Sequence, residues 1–152
     1  MKKLLLAFVL LPLSTHALHV EFVENVTRWE CRYNGVEIAH SFCGKTGSSR
    51  HEWVEVETQY LGAYENASET IFLRKDLSDK KLIEVFHHEL CHYTEFQLLR
   101  RKRNEFIKLS NRYFPRHNEK EVFAETCNQV IFGHKSLFIP NRQLKYFFTK
   151  LK

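Results

Sequence analysis

Residues 87–92 read His-His-Glu-Leu-Cys-His. His88 and His92 are four apart, so on a helix they share a face, and two imidazoles at that spacing converge on one metal ion at Zn–N distances of ~2.0–2.1 Å. Glu89 then flanks the ion where a bound water would sit, and its carboxylate can take a proton from that water. Zinc lowers the pKa of bound water to roughly 7 and polarises a carbonyl, which makes hydroxide attack feasible at neutral pH. Nine histidines in the chain raise the odds of a chance match. The context argues the other way, because the motif lies in a stretch of strong helical periodicity that follows a strand-like run. His87 and Cys91 read as helix-surface or packing positions, Cys91 more readily as half of a disulfide.

A catalytic zinc takes three protein ligands and keeps one position open, so a third residue must come from elsewhere. The metzincin pattern HExxHxxGxxH is excluded, because the third and sixth positions after His92 are Glu95 and Leu98. The segment Pro115 to Glu125 offers Glu119, Glu121 and Glu125, of which Glu121 and Glu125 share a helix face. An HExxH followed by a helix bearing a glutamate resembles the gluzincin pattern. The run Asn118-Glu-Lys-Glu121-Val-Phe-Ala-Glu125 is similar to the ligand helix of the anthrax lethal factor-like metallopeptidases. The resemblance covers residues 87–92 and 116–125. It implies a zincin-like fold, peptide-bond hydrolysis, Glu121 as third zinc ligand and Glu125 as its support. It also implies a tyrosine just before the ligand helix that stabilises an oxyanion. Phe114 aligns there, which leaves its neighbour Tyr113 as the candidate and Tyr93 as the spare. The residues alone leave the third ligand open: with Asn118 as N-cap, Glu121 is the N3 residue of a near capping box, and if capping holds it, Glu125 becomes the ligand. His117 and His134 read as exposed histidines rather than ligands.

The elements that must position these groups fall into two halves. Leu18, Val20 and Phe22 alternate with polar residues, Trp29–Tyr33 and Val36–Phe42 flank an Asn34-Gly35 turn, and Trp53–Tyr60 and Thr70–Leu73 add β-branched and aromatic runs. Gly44–Arg50 has the composition of a surface loop. From Ser78 the apolar period becomes helical through Leu82, Val85, Phe86, Leu90, Tyr93 and Phe96, predicting a helix to about Arg103. A second helix is expected from near Asn118 towards Gly133. Strands first and helices afterwards give an α+β domain with helices on one face of a small N-terminal sheet. Thr70–Arg74 reads either as a cleft-edge strand able to pair with a peptide or as a core strand. Trp53 reads as core. Phe147, Phe148 and Leu151 suggest a tail docked on the core.

Lys2 and Lys3, the apolar run Leu4–Leu13 and Thr15-His16-Ala17 have the layout of a signal peptide spanning residues 1–17. The apolar run is much shorter than the ~20 residues a spanning helix needs. The expected mature protein is therefore one secreted or periplasmic domain, residues 18–152, monomeric and acting on a peptide or protein substrate. All four cysteines lie within it, and an oxidising compartment favours two disulfides. Cys31–Cys43 with Cys91–Cys127 is preferred among three connectivities, because the metal brings the helices of the second pair together. If Asn34-Gly35 is a tight turn, Cys31 faces Ile38 and the chain must fold back after Phe42 to bring Cys43 within reach. The full chain has a formal net charge of +5, and without the two lysines of residues 1–17 it is +3, a mild excess. The run Arg100-Arg101-Lys102-Arg103 reads as a solvated helix end complementing the helix dipole; it lacks interleaved aromatics, so nucleic acid is not expected as a partner. Asn25-Val-Thr27 and Asn66-Ala-Ser68 fit the glycosylation pattern. A zinc-stabilised binding module without activity is the remaining rival, and Glu89 argues against it, since a structural zinc needs no general base.

Overall fold

The computed structural model describes residues 17–39, 43, 51–135 and 141–151. The signal segment, apart from Ala17, and the loop 44–50 lie outside them. Among the described residues six strands precede four helices: β1 (His19–Val23), β2 (Thr27–Tyr33), β3 (Val36–Ile38), β4 (His51–Glu57), β5 (Gly62–Glu65), β6 (Thr70–Arg74), α1 (Asp79–Gln97), α2 (Arg100–Tyr113), α3 (Glu119–Phe132) and α4 (Arg142–Thr149). The α+β class expected from the sequence holds, but the strands form two sheets rather than one.

In the first sheet, ordered β1-β6-β5, β1 runs parallel to β6 and β5 antiparallel to it. The second is the antiparallel meander β3-β2-β4. Its Asn34-Gly35 turn has φ of 50° and 79°, as a two-residue hairpin turn of the primed type demands. The predicted register follows, with Tyr33 opposite Val36 and Cys31 opposite Ile38. Strand β3 ends at Ile38; Ala39, predicted to continue it, is not part of the strand, and residues 40–42 lie outside the described residues. The chain does fold back, because Cys43 is bonded to Cys31 across a Cα separation of 5.9 Å. Trp53 is not core: it is 49% exposed on this second sheet.

Strand β6 is the centre of the first sheet, with Ile71 and Leu73 buried against Val85, Leu90 and Tyr93 of α1. Both of its edges are used, so Thr70–Arg74 is the core strand and not the cleft edge. That edge belongs to β5, which the sequence did not announce. Gly-Ala-Tyr-Glu has little strand propensity, and the strand forms as the hairpin partner of β6 through a turn closed by Glu69 N donating to Asn66 O at 3.3 Å.

Helix α1 stops at Gln97, short of the predicted Arg103, because Leu98 and Leu99 turn extended at ψ of 140° and 139°. The basic run therefore opens α2 instead of closing α1. Only Arg103 serves the end of α1: its guanidinium donates to the carbonyls of Glu95, at 3.2 Å, and Phe96, satisfying acceptors a helix end leaves unpaired. Helix α3 has both expected boundaries, with Asn118 Oδ1 accepting from Lys120 N at 2.9 Å and Gly133 at φ 73° closing it. Its apolar side, Val122, Phe123 and Ala124, forms a second core with Phe106 of α2 and with Leu144, Phe147 and Phe148 of α4. The tail thus docks, as a helix. Phe106 packs edge-on to Phe123 with centroids 4.9 Å apart, and each such buried ring contributes about 1.5–3 kcal/mol. No helix among the described residues is long and apolar enough to cross a membrane.

Candidate metal centre

Three contacts fix how α1 and α3 lie. His92 meets Glu121, Cys91 is bonded to Cys127, and His87 stacks on Phe132 at 3.9 Å. Descending α1 pairs with ascending α3, so the helices are antiparallel and the glutamate face of α3 lies against the histidine face of α1.

At the centre of this contact, His88 Nε2 and His92 Nε2 are 3.2 Å apart. Glu121 spans both, with Oε2 3.3 Å from His88 Nε2 and Oε1 3.3 Å from His92 Nε2. Tetrahedral ligands on arms of ~2.0–2.1 Å sit roughly 3.3–3.4 Å from one another, so these donors have the spacing of three corners of a zinc tetrahedron. Donor atoms of His88, Glu89 and His92 all lie within 4.8 Å of one another, a group that can hold a metal ion. Glu125 takes a different place: its Oε1 is 3.2 Å from His88 Nδ1, the ring nitrogen turned away from Glu121. A capping role for Glu121 is absent, since its oxygens are on the histidines.

The electrostatics follow from this packing. Burial acts to lower the pKa of His88, but the hydrogen bonds to Glu121 and Glu125 outweigh it and raise the ring to about 10. The same contacts, His88 first and then His92, hold the Glu121 carboxyl well below the usual range. Glu89 is 7% exposed, and burial raises its pKa against the pull of His92 and His88, while the main-chain N–H of Tyr64 donates to its carboxylate. Strand β5 approaches α1 closely enough that a Cβ on Gly62 would lie 2.6 Å from Val85 Cγ1 and 3.1 Å from Glu89 Cγ.

The centre floors a cleft of about 860 Å³ walled by α1, α3, β5 and the connection into β5. Tyr113, the expected oxyanion donor, does not line it; its hydroxyl donates to the Gln143 side chain on α4. Tyr93 is core, edge-on to Tyr64 at 5.5 Å. The expectation fails because α2 lies between α1 and α3 along the chain and its last turn carries Tyr113 towards α4. The tyrosines that do line the cleft are Tyr60, 56% exposed, and Tyr64. The Tyr64 hydroxyl is buried without a hydrogen-bond partner among the described residues, and burial, with Glu69 and Tyr93 nearby, pushes it up to about 12. Neither was singled out from sequence, because β5 itself was unrecognised.

The chain matches no family model, no curated protein and no solved structure.

The remaining histidines near the centre are structural partners of each other. His87 is 5% exposed and its Nδ1 is 2.8 Å from Nε2 of His134, which is therefore not a plain surface histidine. Burial, with His134 adding to it, lowers His87 to about 4, so the ring is neutral at physiological pH. The pair ties α1 to the segment beyond α3. His117, against Phe114 at 5.5 Å, does not line the cleft.

Proposed function

We propose that the chain is an exported zinc metallopeptidase of gluzincin type, with His88, His92 and Glu121 as ligands and Glu89 as general base. The observation that carries the reading is the Glu121 carboxylate held 3.3 Å from both Nε2 atoms with Glu89 beside them. Zinc bound there supplies acidification of a water and polarisation of the scissile carbonyl. Glu125 accepts from His88 Nδ1–H, which fixes the tautomer that leaves the Nε2 lone pair for the metal. Glu89 takes the proton; its burial makes it a stronger base than an exposed carboxylate, and the Tyr64 N–H holds it in place.

A peptide substrate is supported by β5. Arg74 N donates to Leu61 O at 3.0 Å, so the alternation of an antiparallel pair leaves the main-chain groups of Gly62 and Tyr64 facing away from β6; the Tyr64 N–H is taken by Glu89, which leaves the Gly62 N–H and C=O and the Tyr64 C=O for a peptide in the cleft. Export is supported by the two disulfides. The test is elemental analysis of dialysed mature protein beside Glu121→Ala and Glu89→Gln. One zinc per chain is expected in wild type and Glu89→Gln but not in Glu121→Ala, with turnover of a mixed peptide pool lowered by 10²–10⁴ in Glu89→Gln. Folded wild type without metal, or full turnover in Glu89→Gln, would refute the assignment; bound zinc with no turnover of any peptide would favour the binding module.

A further inference from the structure

The charges lining the cleft can be accounted for one by one. Glu84 pairs with Lys81 at 3.0 Å, and Glu95 with Arg103 at 3.2 Å. Glu121 and Glu125 are engaged by His88 and His92, and Glu89 accepts from Tyr64 N–H. Every acidic group in the lining thus has a partner, His88 serving both Glu121 and Glu125. Two cations do not: Lys120 and Lys135 line the cleft, both residues are exposed, and neither makes an ion pair among the described residues.

Their placement is not that of scattered surface lysines. Lys120 lies in the first turn of α3, beside the ligand Glu121, and Lys135 lies three residues past its end. The fourteen residues of α3 span roughly 20 Å at 1.5 Å per residue, and roughly six residues of extended peptide cover the same distance. The two lysines therefore stand near opposite ends of the α3 wall, Lys120 next in sequence to Glu121. The first also stands at a helix N-terminus, where negative charge is favoured.

We infer that the cleft selects acidic peptide segments, Lys120 and Lys135 each pairing with an acidic side chain of the substrate on either side of a span of about six residues. The inference rests on the peptidase reading for its substrate class, but its test does not rest on turnover. Neutralising a lysine removes an attraction; reversing it to glutamate adds a repulsion, and so separates specificity from packing.

The experiment uses zinc-loaded Glu89→Gln protein and fluorescein-labelled peptides of one sequence, carrying Glu, Gln or Lys at two positions six residues apart. Binding is read by anisotropy at low and high salt. The Glu peptide is expected to bind roughly five- to tenfold tighter than the Gln peptide at low salt, as two partly exposed pairs allow, with the advantage shrinking as salt rises. Lys120→Glu with Lys135→Glu should invert the order so that the Lys peptide binds best, and moving the two Glu side by side should cost about half the advantage on a logarithmic scale. Equal affinity for the Glu and Gln peptides, no detectable binding of any of them, or a preference that survives both reversals overturns the inference. Wild-type hydrolysis of the same set separates the two claims: cleavage without acidic preference sinks only this one, and acidic preference in binding without cleavage of any peptide sinks only the peptidase.

Discussion

Gly62→Ala should damage turnover without touching a single metal ligand. The added Cβ would sit 2.6 Å from Val85 Cγ1, 3.1 Å from Glu89 Cγ and 3.2 Å from Leu73 Cδ2. Ordinary carbon contacts are ~3.5–4.0 Å, so about 1 Å of relief is needed at Val85 and about half that at Glu89. Val85 is β-branched on a helix and has one strongly preferred rotamer, so the strand must move away from α1 rather than the side chain swing aside. Such overpacking costs about 1–3 kcal/mol, a fall in Tm of roughly 5–15 °C for a domain of this size. Displacing β5 also lengthens the Tyr64 N–H bond to Glu89. A misplacement approaching 1 Å costs up to about 10²-fold in rate, so kcat/KM on a cleavable peptide should fall by roughly 10- to 100-fold while zinc content by elemental analysis stays at the wild-type value. Gly62→Ala with Val85→Ala removes the worst contact and should recover much of the loss. A Gly62→Ala protein with wild-type Tm and wild-type kcat/KM would refute the close-approach argument.

Two further outcomes follow from the same geometry. His88 is raised to about 10 in the metal-free centre, and a ligand histidine must be neutral. Zinc binding at pH 7.5 should therefore release about one proton, against about 0.1 for an unshifted histidine, read by calorimetry in buffers of different ionisation enthalpy; a buffer-independent heat would contradict the pairing. The sign for stability is set by the same shifts. The His88 contribution is full below its unfolded value of 6.5 and is lost as pH rises through about 10, while that of Glu121 is present above 4.5 and lost as pH falls. Thermal unfolding of metal-free protein should therefore show most support from this cluster between those two unfolded values. Among the tyrosines, Tyr60→Phe should lower kcat, by up to about 10²-fold if its hydroxyl serves the oxyanion, whereas Tyr113→Phe should leave kcat unchanged and shift only Tm; the reverse order would restore Tyr113 to the chemistry.

Much of the centre could be read from sequence because it depends on local geometry. The His88–His92 convergence is a property of one helix, the Asn34-Gly35 register a property of one turn, and the ends of α3 are written in Asn118 and Gly133. What was illegible depends on neighbours. The choice between Glu121 and Glu125 turns on which flank of α3 meets the Nε2 atoms, and spacing alone treats the two alike. The break at Leu98-Leu99 has no Gly or Pro to mark it, since two leucines continue the apolar run, and it is fixed by Arg103 folding back on the last carbonyls of α1. Strand β5 exists because β6 lies beside it and α1 beneath it, not because Gly-Ala-Tyr-Glu prefers to be extended. Tyr113 is the candidate because it adjoins Phe114, where the resemblance places a tyrosine, and the direction of α2 carries it away from the cleft.

The Cys91–Cys127 bond has a consequence beyond holding two helices together. It joins the segment bearing both histidines to the segment bearing Glu121 across a separation of 36 residues, a loop whose closure is worth about 4 kcal/mol in the chain-entropy model. For the proposed metal this would be a chelate effect set in advance: the effective concentration of Glu121 at the two imidazoles stays high even while the helices fluctuate. On the proposed reading, an exported protein would have no intracellular machinery to reload it. With His88, His92 and Glu121 tethered, a centre stripped by a stronger chelator would remain a template, and recapture of scarce zinc would be a local event that does not require the domain to fold again.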